Sequence, residues 1–134
     1  MIVADSSAWI ELLRGTESPA HRTLRRLLQE DAPVATTEMV AGEILAGARD
    51  DLDHVRLRRE LMATRFIPLG GFEGFERAAR LVRECRALGI TASLTDCLVA
   101  VPAVAAGAAV LHADADFDRI ASATALEIYP LDAS

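Results

Sequence analysis

The stretch LHADADFDRI, Leu111 to Ile120, places Asp114, Asp116 and Asp118 on alternate positions directly after an apolar run, CLVAVPAVAAGAAVL. Carboxylates held side by side repel, by about 4 kcal/mol for unit charges about 4 Å apart at an effective dielectric near 20. Either they diverge into water or a cation offsets the repulsion. Further acids stand in awkward places. Asp5 ends the apolar run MIVA, Glu43 lies in EMVAGEILAGA among Met39, Val40, Ile44 and Leu45, and Asp96 opens the apolar stretch TDCLVAV. The helix face around Glu43 reads as buried, and a buried carboxylate needs a partner charge or a metal. The chain contains no lysine, and among its arginines only Arg119 adjoins these acids in sequence. A divalent cation is the remaining partner. Carboxylate and water oxygens suit magnesium or manganese rather than zinc. Such an ion activates water and neutralises charge on a centre under attack. Singly, each acid has an ordinary explanation: Asp96 as a charge favoured by a helix N-terminus, Asp5 as a turn acid, Glu43 as a common helix residue. The set is the signal. Asp118 reads as a solvated helix acid. His21, His54 and His112 have no ligand spacing; His112, just before the acids, is placed to tune the site but reads rather as a packed or surface histidine.

The elements that position these acids alternate between strand and helix. MIVA (1–4), PVAT (33–36), FIPL (66–69), AAVLHA (108–113) and LEIYP (126–130) read as short strands. Between them, 7–14 reads as a helix closed by Gly15, and Ser18 with Pro19 opens a second one. Thr36 or Thr37 caps the helix bearing Glu43, and LDHVRLRRELMAT follows it as another. Phe72, Phe75, Ala79, Val82 and Cys85 recur at three and four, which predicts an amphipathic helix over 72–88 ended by Gly89. Ser93 or Thr95 caps a helix running to about residue 106, and DFDRIAS is a short one. The alternation predicts a parallel sheet with helices on both faces. Such sheets carry their sites beyond the carboxyl ends of the strands. Asp5 and the pair Asp114 and Asp116 then share one rim.

The 134 residues suit one domain, 1–134, and an apolar fraction of 51% allows a real core. The net charge of −6 argues against nonspecific coating of nucleic acid, though not against a local groove lined by arginine. Cys85 and Cys97 make neither a disulfide framework nor a zinc set, so a reducing cytoplasm is expected. The run from Cys97 to Leu111 is too short to span a bilayer, and Pro102 and Gly107 interrupt it.

Four blocks, in order and spacing, resemble a PIN domain, specifically a VapC-type toxin ribonuclease of a bacterial toxin–antitoxin pair: VADSSAWI, TTEMVAGEILAGA, LTDCLVAV and VLHADADFDRIA. The resemblance implies a three-layer α/β/α sandwich around a mainly parallel sheet of four to five strands. It carries Asp5, Glu43, Asp96 and Asp116 over as an acidic quartet, with Asp114 as a further acid in the same pocket. Asp5, Asp96, Asp114 and Asp116 would hold magnesium or manganese, with either Asp114 or Asp116 or both in direct contact, and Glu43 would ligate or position water. The implied activity is endonucleolytic hydrolysis of RNA. Ser7 matches the family's hydroxyl two residues after the first acid and, with Arg14 and Arg119, is a candidate substrate contact. The resemblance further implies a homodimer and an antitoxin that fills a groove, with Trp9 and the early helices supplying apolar surface.

Pro102 departs from the family pattern. Inside a helix it removes a backbone bond and costs about 3 kcal/mol if unrelieved. The competing reading is therefore an inactive PIN-like interaction module. Receiver domains and haloacid-type phosphatases also place aspartates at strand ends, but both rely on a lysine that this chain lacks.

Overall fold

The structure, a computed structural model, describes residues 1–133. Among these residues the chain runs β1 (Ile2–Ala4), α1 (Ser6–Arg14), α2 (Pro19–Gln29), β2 (Val34–Thr36), α3 (Glu38–Ala46), α4 (Asp51–Met62) and β3 (Arg65–Phe66). It continues through α5 (Gly71–Ala87), α6 (Leu94–Ala105), β4 (Ala109–Leu111), α7 (Asp116–Ala123) and β5 (Glu127–Ile128). The strands form one sheet in the order β3-β2-β1-β4-β5, and every pairing is parallel. β1 and β2 are buried along their whole length, as expected of strands covered on both faces.

Under the right-handed rule for crossovers between parallel strands, this strand order assigns α1 to α4 to one face and α5 to α7 to the other. The packing agrees: α1 meets α2 and α3, α3 meets α4, and α5 and α6 pair with each other. α3 also touches α6 across the sheet's end. From β1 the chain moves outward through β2 to β3, then returns to the far side of β1 through β4 and β5. The reversal falls between β1 and β4, where Ala4 pairs with Leu111. A crevice outside the carboxyl ends of these strands is where a doubly wound sheet carries its ligand.

Local signals set most helix boundaries. Gly15 closes α1 in the left-handed conformation, Ser18 accepts the His21 amide with Pro19 at the first position of α2, and Asp50 caps α4. The third strand is shorter than FIPL suggests and begins one residue earlier, because only Arg65 and Phe66 pair in register with β2; Ile67 adds a single amide bond to Thr36 O at 2.9 Å.

Two expectations are corrected. On α5, Gly74, Ala78 and Cys85 face inward, while Phe72 and Phe75 are 78% and 50% exposed. The cause is close approach: a Cβ on Gly74 would sit 2.1 Å from the Leu69 carbonyl oxygen. Small residues therefore take the inner face, and the phenylalanines cannot. Trp9, expected on an open apolar surface, is 2% exposed and belongs to the core. Pro102 is buried inside α6, which nevertheless runs as a single helix from Leu94 to Ala105. Asp96, in the first turn, lies upstream of the backbone bond that Pro102 removes.

Candidate active site

Each acid owes its position to an element end. Asp5 follows β1 and caps α1; its Oδ2 accepts the Ser7 amide at 3.1 Å and the Ser7 hydroxyl at 2.6 Å. Its backbone amide donates to Leu111 O at 2.9 Å, which locks the end of β1 to the end of β4. Ser7 Oγ also accepts the Ala113 amide at 3.0 Å, so this hydroxyl ties the first acid to the loop after β4. Asp96 stands in the first turn of α6, its amide held by the capping Ser93 at 3.0 Å. Asp114 Oδ1 accepts the amide of Asp116, the first residue of α7, at 3.0 Å. Asp116 in turn pairs with Arg119 one turn along the helix.

Asp96, Asp114 and Asp116 are half-buried, and each offers a carboxylate oxygen within 4.8 Å of the other two. Two oxygens on opposite sides of a magnesium ion lie about 4.2 Å apart, twice an Mg–O bond of about 2.1 Å. The three are thus within a small contraction, or one bridging water, of a common ion. Asp5 and Glu43 stand outside this trio but act on it. Burial pushes the Asp96 carboxyl above its ordinary range against the pull of Ser93, and the charges of Asp114, Asp5 and Glu43 push the same way. Partial loss of hydration also raises Glu43; the hydrogen bond from Ser6 Oγ at 3.0 Å opposes the rise, and the charge of Asp5 adds to it. Such mutual repulsion marks acids that share a space, and among them, within the described residues, Asp116 alone has an arginine partner, Arg119.

Several sequence expectations shift. Glu43 is exposed rather than covered by its helix. Its apolar neighbours Val40 and Ile44 turn to the core, and the carboxylate projects toward Ser6 on the open side. Arg14 lies near it, on the wall of a cavity of about 420 Å³ shared with Glu43, Ile10, Arg49 and Arg56. Ser7 spends its proton on Asp5. Of the two expected caps, Ser93 and not Thr95 caps α6, while the sequence reading missed Ser6, a hydroxyl residue next to the first acid. His112 takes the packed alternative, buried with hydrogen bonds at both ring nitrogens.

Residues 2–123 match the model of the PIN domain. The chain belongs to the PIN-domain family. Within that family it is similar to a VapC ribonuclease from Mycobacterium bovis, at 43% identity over 95% of this chain and 96% of the relative. Ribonuclease VapC11 of Mycobacterium tuberculosis matches to the same extent. Among solved structures, VapBC2 from Rickettsia felis, bound to a promoter DNA fragment, superposes with a TM-score of 0.76 at 19% identity, covering 98% of this chain and all of the other. VapC20 of M. tuberculosis, described as a sarcin–ricin loop cleaving toxin, superposes with a TM-score of 0.69 at 22% identity, covering 97% and 100%. At those identities the likeness speaks for the fold: a PIN sandwich on a parallel sheet.

Proposed function

We propose that this PIN domain is the toxin ribonuclease of a toxin–antitoxin pair, acting in the cytoplasm, and that the whole chain, 1–134, serves as one domain. The carrying observation is the convergence of Asp96, Asp114 and Asp116, with Asp5 and Glu43 raising the local charge, at the reversal point of the sheet. Asp96, Asp114, Asp116 and Asp5 would hold magnesium or manganese. When bound, that ion supplies an activated water and neutralises charge on the phosphate. The chain's own groups do the rest. Glu43, with a raised pKa and an open approach, accepts a proton from the water or orients it. Ser7 holds Asp5 in line, and Arg14 and Arg119 offer planar guanidinium groups to flanking phosphates. Arg119 already neutralises one oxygen of Asp116, so an incoming phosphate competes for it.

The partner reading rests on the cavity beside Glu43. Exposed Ile10 and Leu13 line it with Leu57, and Glu43 stands on its wall. An antitoxin segment with an apolar face and one basic side chain would fill it and place its charge among the carboxylates, against the metal. The homodimer reading draws on Phe72 and Phe75, more exposed apolar surface than one helix start needs. No described helix is long and apolar enough to cross a membrane.

Purified protein incubated with RNA in magnesium or manganese tests the activity. We expect internal cleavage that leaves 5′-phosphate ends, stops with chelator and is lost in Asp5→Asn. Cleavage that survives both treatments would refute the reading. Cognate antitoxin should suppress the activity, and unchanged cleavage in its presence would count against the toxin–antitoxin assignment.

A further inference from the structure

The loop from His112 to Ala115 carries Asp114 into the site and leads directly to Asp116, yet it is too short to hold itself by secondary structure. One acceptor from elsewhere in the site and one from the loop's own first residue hold its amides. Ser7 Oγ takes the Ala113 N–H, and the ring nitrogen Nδ1 of His112 takes the Asp114 N–H at 2.9 Å. An Nδ1 that accepts carries no proton, so the neutral ring bears its hydrogen on Nε2. That hydrogen points at Asp118 Oδ1, 3.1 Å away. The ring itself is 7% exposed and packs against fully buried Phe117 at a centroid distance of 5.4 Å. Asp118, whose carboxylate is largely in solvent, thereby selects the tautomer of a buried ring, and the ring selects the direction of the Asp114 backbone.

We propose that His112 is a positioning residue for the cation site: the Nε2–H tautomer, fixed by Asp118, offers Nδ1 to the Asp114 amide and so aims the carboxylates of Asp114 and Asp116 at Asp96. The inference rests on the nuclease reading above, and it assigns a task to a histidine that holds neither metal nor substrate. It also gives Asp118 a purpose distinct from that of its neighbours in the DADFD run. Groups that orient metal ligands at one remove typically change metal affinity by about 10–100-fold when lost.

Two variants separate the ring's two bonds. His112→Asn keeps an acceptor near the Nδ1 position and loses the link to Asp118. His112→Gln reaches the Nε2 position, keeps a donor for Asp118, and leaves the Asp114 amide without a partner. Both are polar and smaller than or similar to histidine, and circular dichroism and melting check their folds. In manganese calorimetry we expect His112→Asn to stay within about threefold of the parent and His112→Gln to weaken by about 10-fold or more. In metal-free protein, amide hydrogen exchange at Asp114 should accelerate in His112→Gln and not in His112→Asn. Equal manganese affinity in parent and His112→Gln, or unchanged Asp114 exchange in that variant, would overturn the proposal. Equal loss in both folded variants would also overturn it, since the ring's packing would then matter and not its acceptor. A parent that takes up no manganese would refute the nuclease reading instead, and the exchange result would still decide the role of His112.

Discussion

At Asp96 the proposed function works against stability. Burial and three neighbouring acids hold its pKa above the unfolded value. Its charge therefore costs stability above the folded pKa, and the cost disappears as pH falls through that value. Glu43 behaves in the same way. As pH falls from neutrality toward the ordinary carboxylate range, metal-free protein should accordingly gain stability. Asp53 works in the opposite sense. The amide and guanidinium of Arg49 and the guanidinium of Arg56 hold it at about 2, below its ordinary 3.8. The stability it contributes is present above that ordinary value and is lost as pH falls toward 2. A melting series in chelator should thus rise as pH falls toward the ordinary carboxylate range and drop again below 3.8 as Asp53 loses its charge; a melting temperature that only falls as pH is lowered from neutrality would contradict it. Asp96→Asn should raise the melting temperature of metal-free protein by roughly 1–3 °C. The same change should abolish cleavage and remove the stabilisation that manganese gives the parent. A variant that melts lower and still responds to manganese would argue that Asp96 is an ordinary helix-start acid.

At the scale of elements, Pro102 and Gly74 make opposite predictions. Pro102 sits two turns beyond Asp96 in a helix that remains continuous. Pro102→Ala should leave cleavage within about threefold, a change of under about 1 kcal/mol in barrier. A large gain in activity would revive the view that this proline disables the site. Gly74→Ala drives a methyl group into the Leu69 backbone and should cost about 1–3 kcal/mol of stability, read in denaturant melts. The same two residues explain what the sequence could tell. Strand–helix alternation, capping serines and Gly15 are local signals, so the order of elements and their approximate ends were legible. The side of α5 that faces inward was not, because apolar periodicity favours Phe72 and Phe75, whereas the contact with Leu69 admits only a glycine. Acids were legible as a set through their places at strand and helix ends. The exposure of Glu43 was hidden, since its neighbours' apolarity says only that the opposite side of α3 is buried. Which of its alternatives His112 takes was hidden for a different reason: its partners are a backbone amide and an acid whose own role looked complete in solvent.

For the molecule as a whole, the sheet order is what assembles the site. Asp5 and Asp114 stand more than 100 residues apart in the chain and meet because β1 pairs with β4. The contact between α3 and α6 across the sheet's end brings Glu43 and Asp96 to the same crevice. In that arrangement the fold concentrates negative charge where the chain direction reverses, and under the proposed function a cation would complete it. The exposed phenylalanines at the start of α5 belong to the same scale. If they close a homodimer, Phe72→Glu should shift the mass seen by light scattering from two chains to one. Parent protein that is already monomeric at tens of micromolar would count against that assembly.

The central claim is that these acids form a single cation site. Crystals soaked in manganese and measured at its absorption edge test it most directly. The account predicts an anomalous peak bounded by the carboxylates of Asp96, Asp114 and Asp116. Manganese bound only elsewhere, or no peak at concentrations that support RNA cleavage, would contradict it.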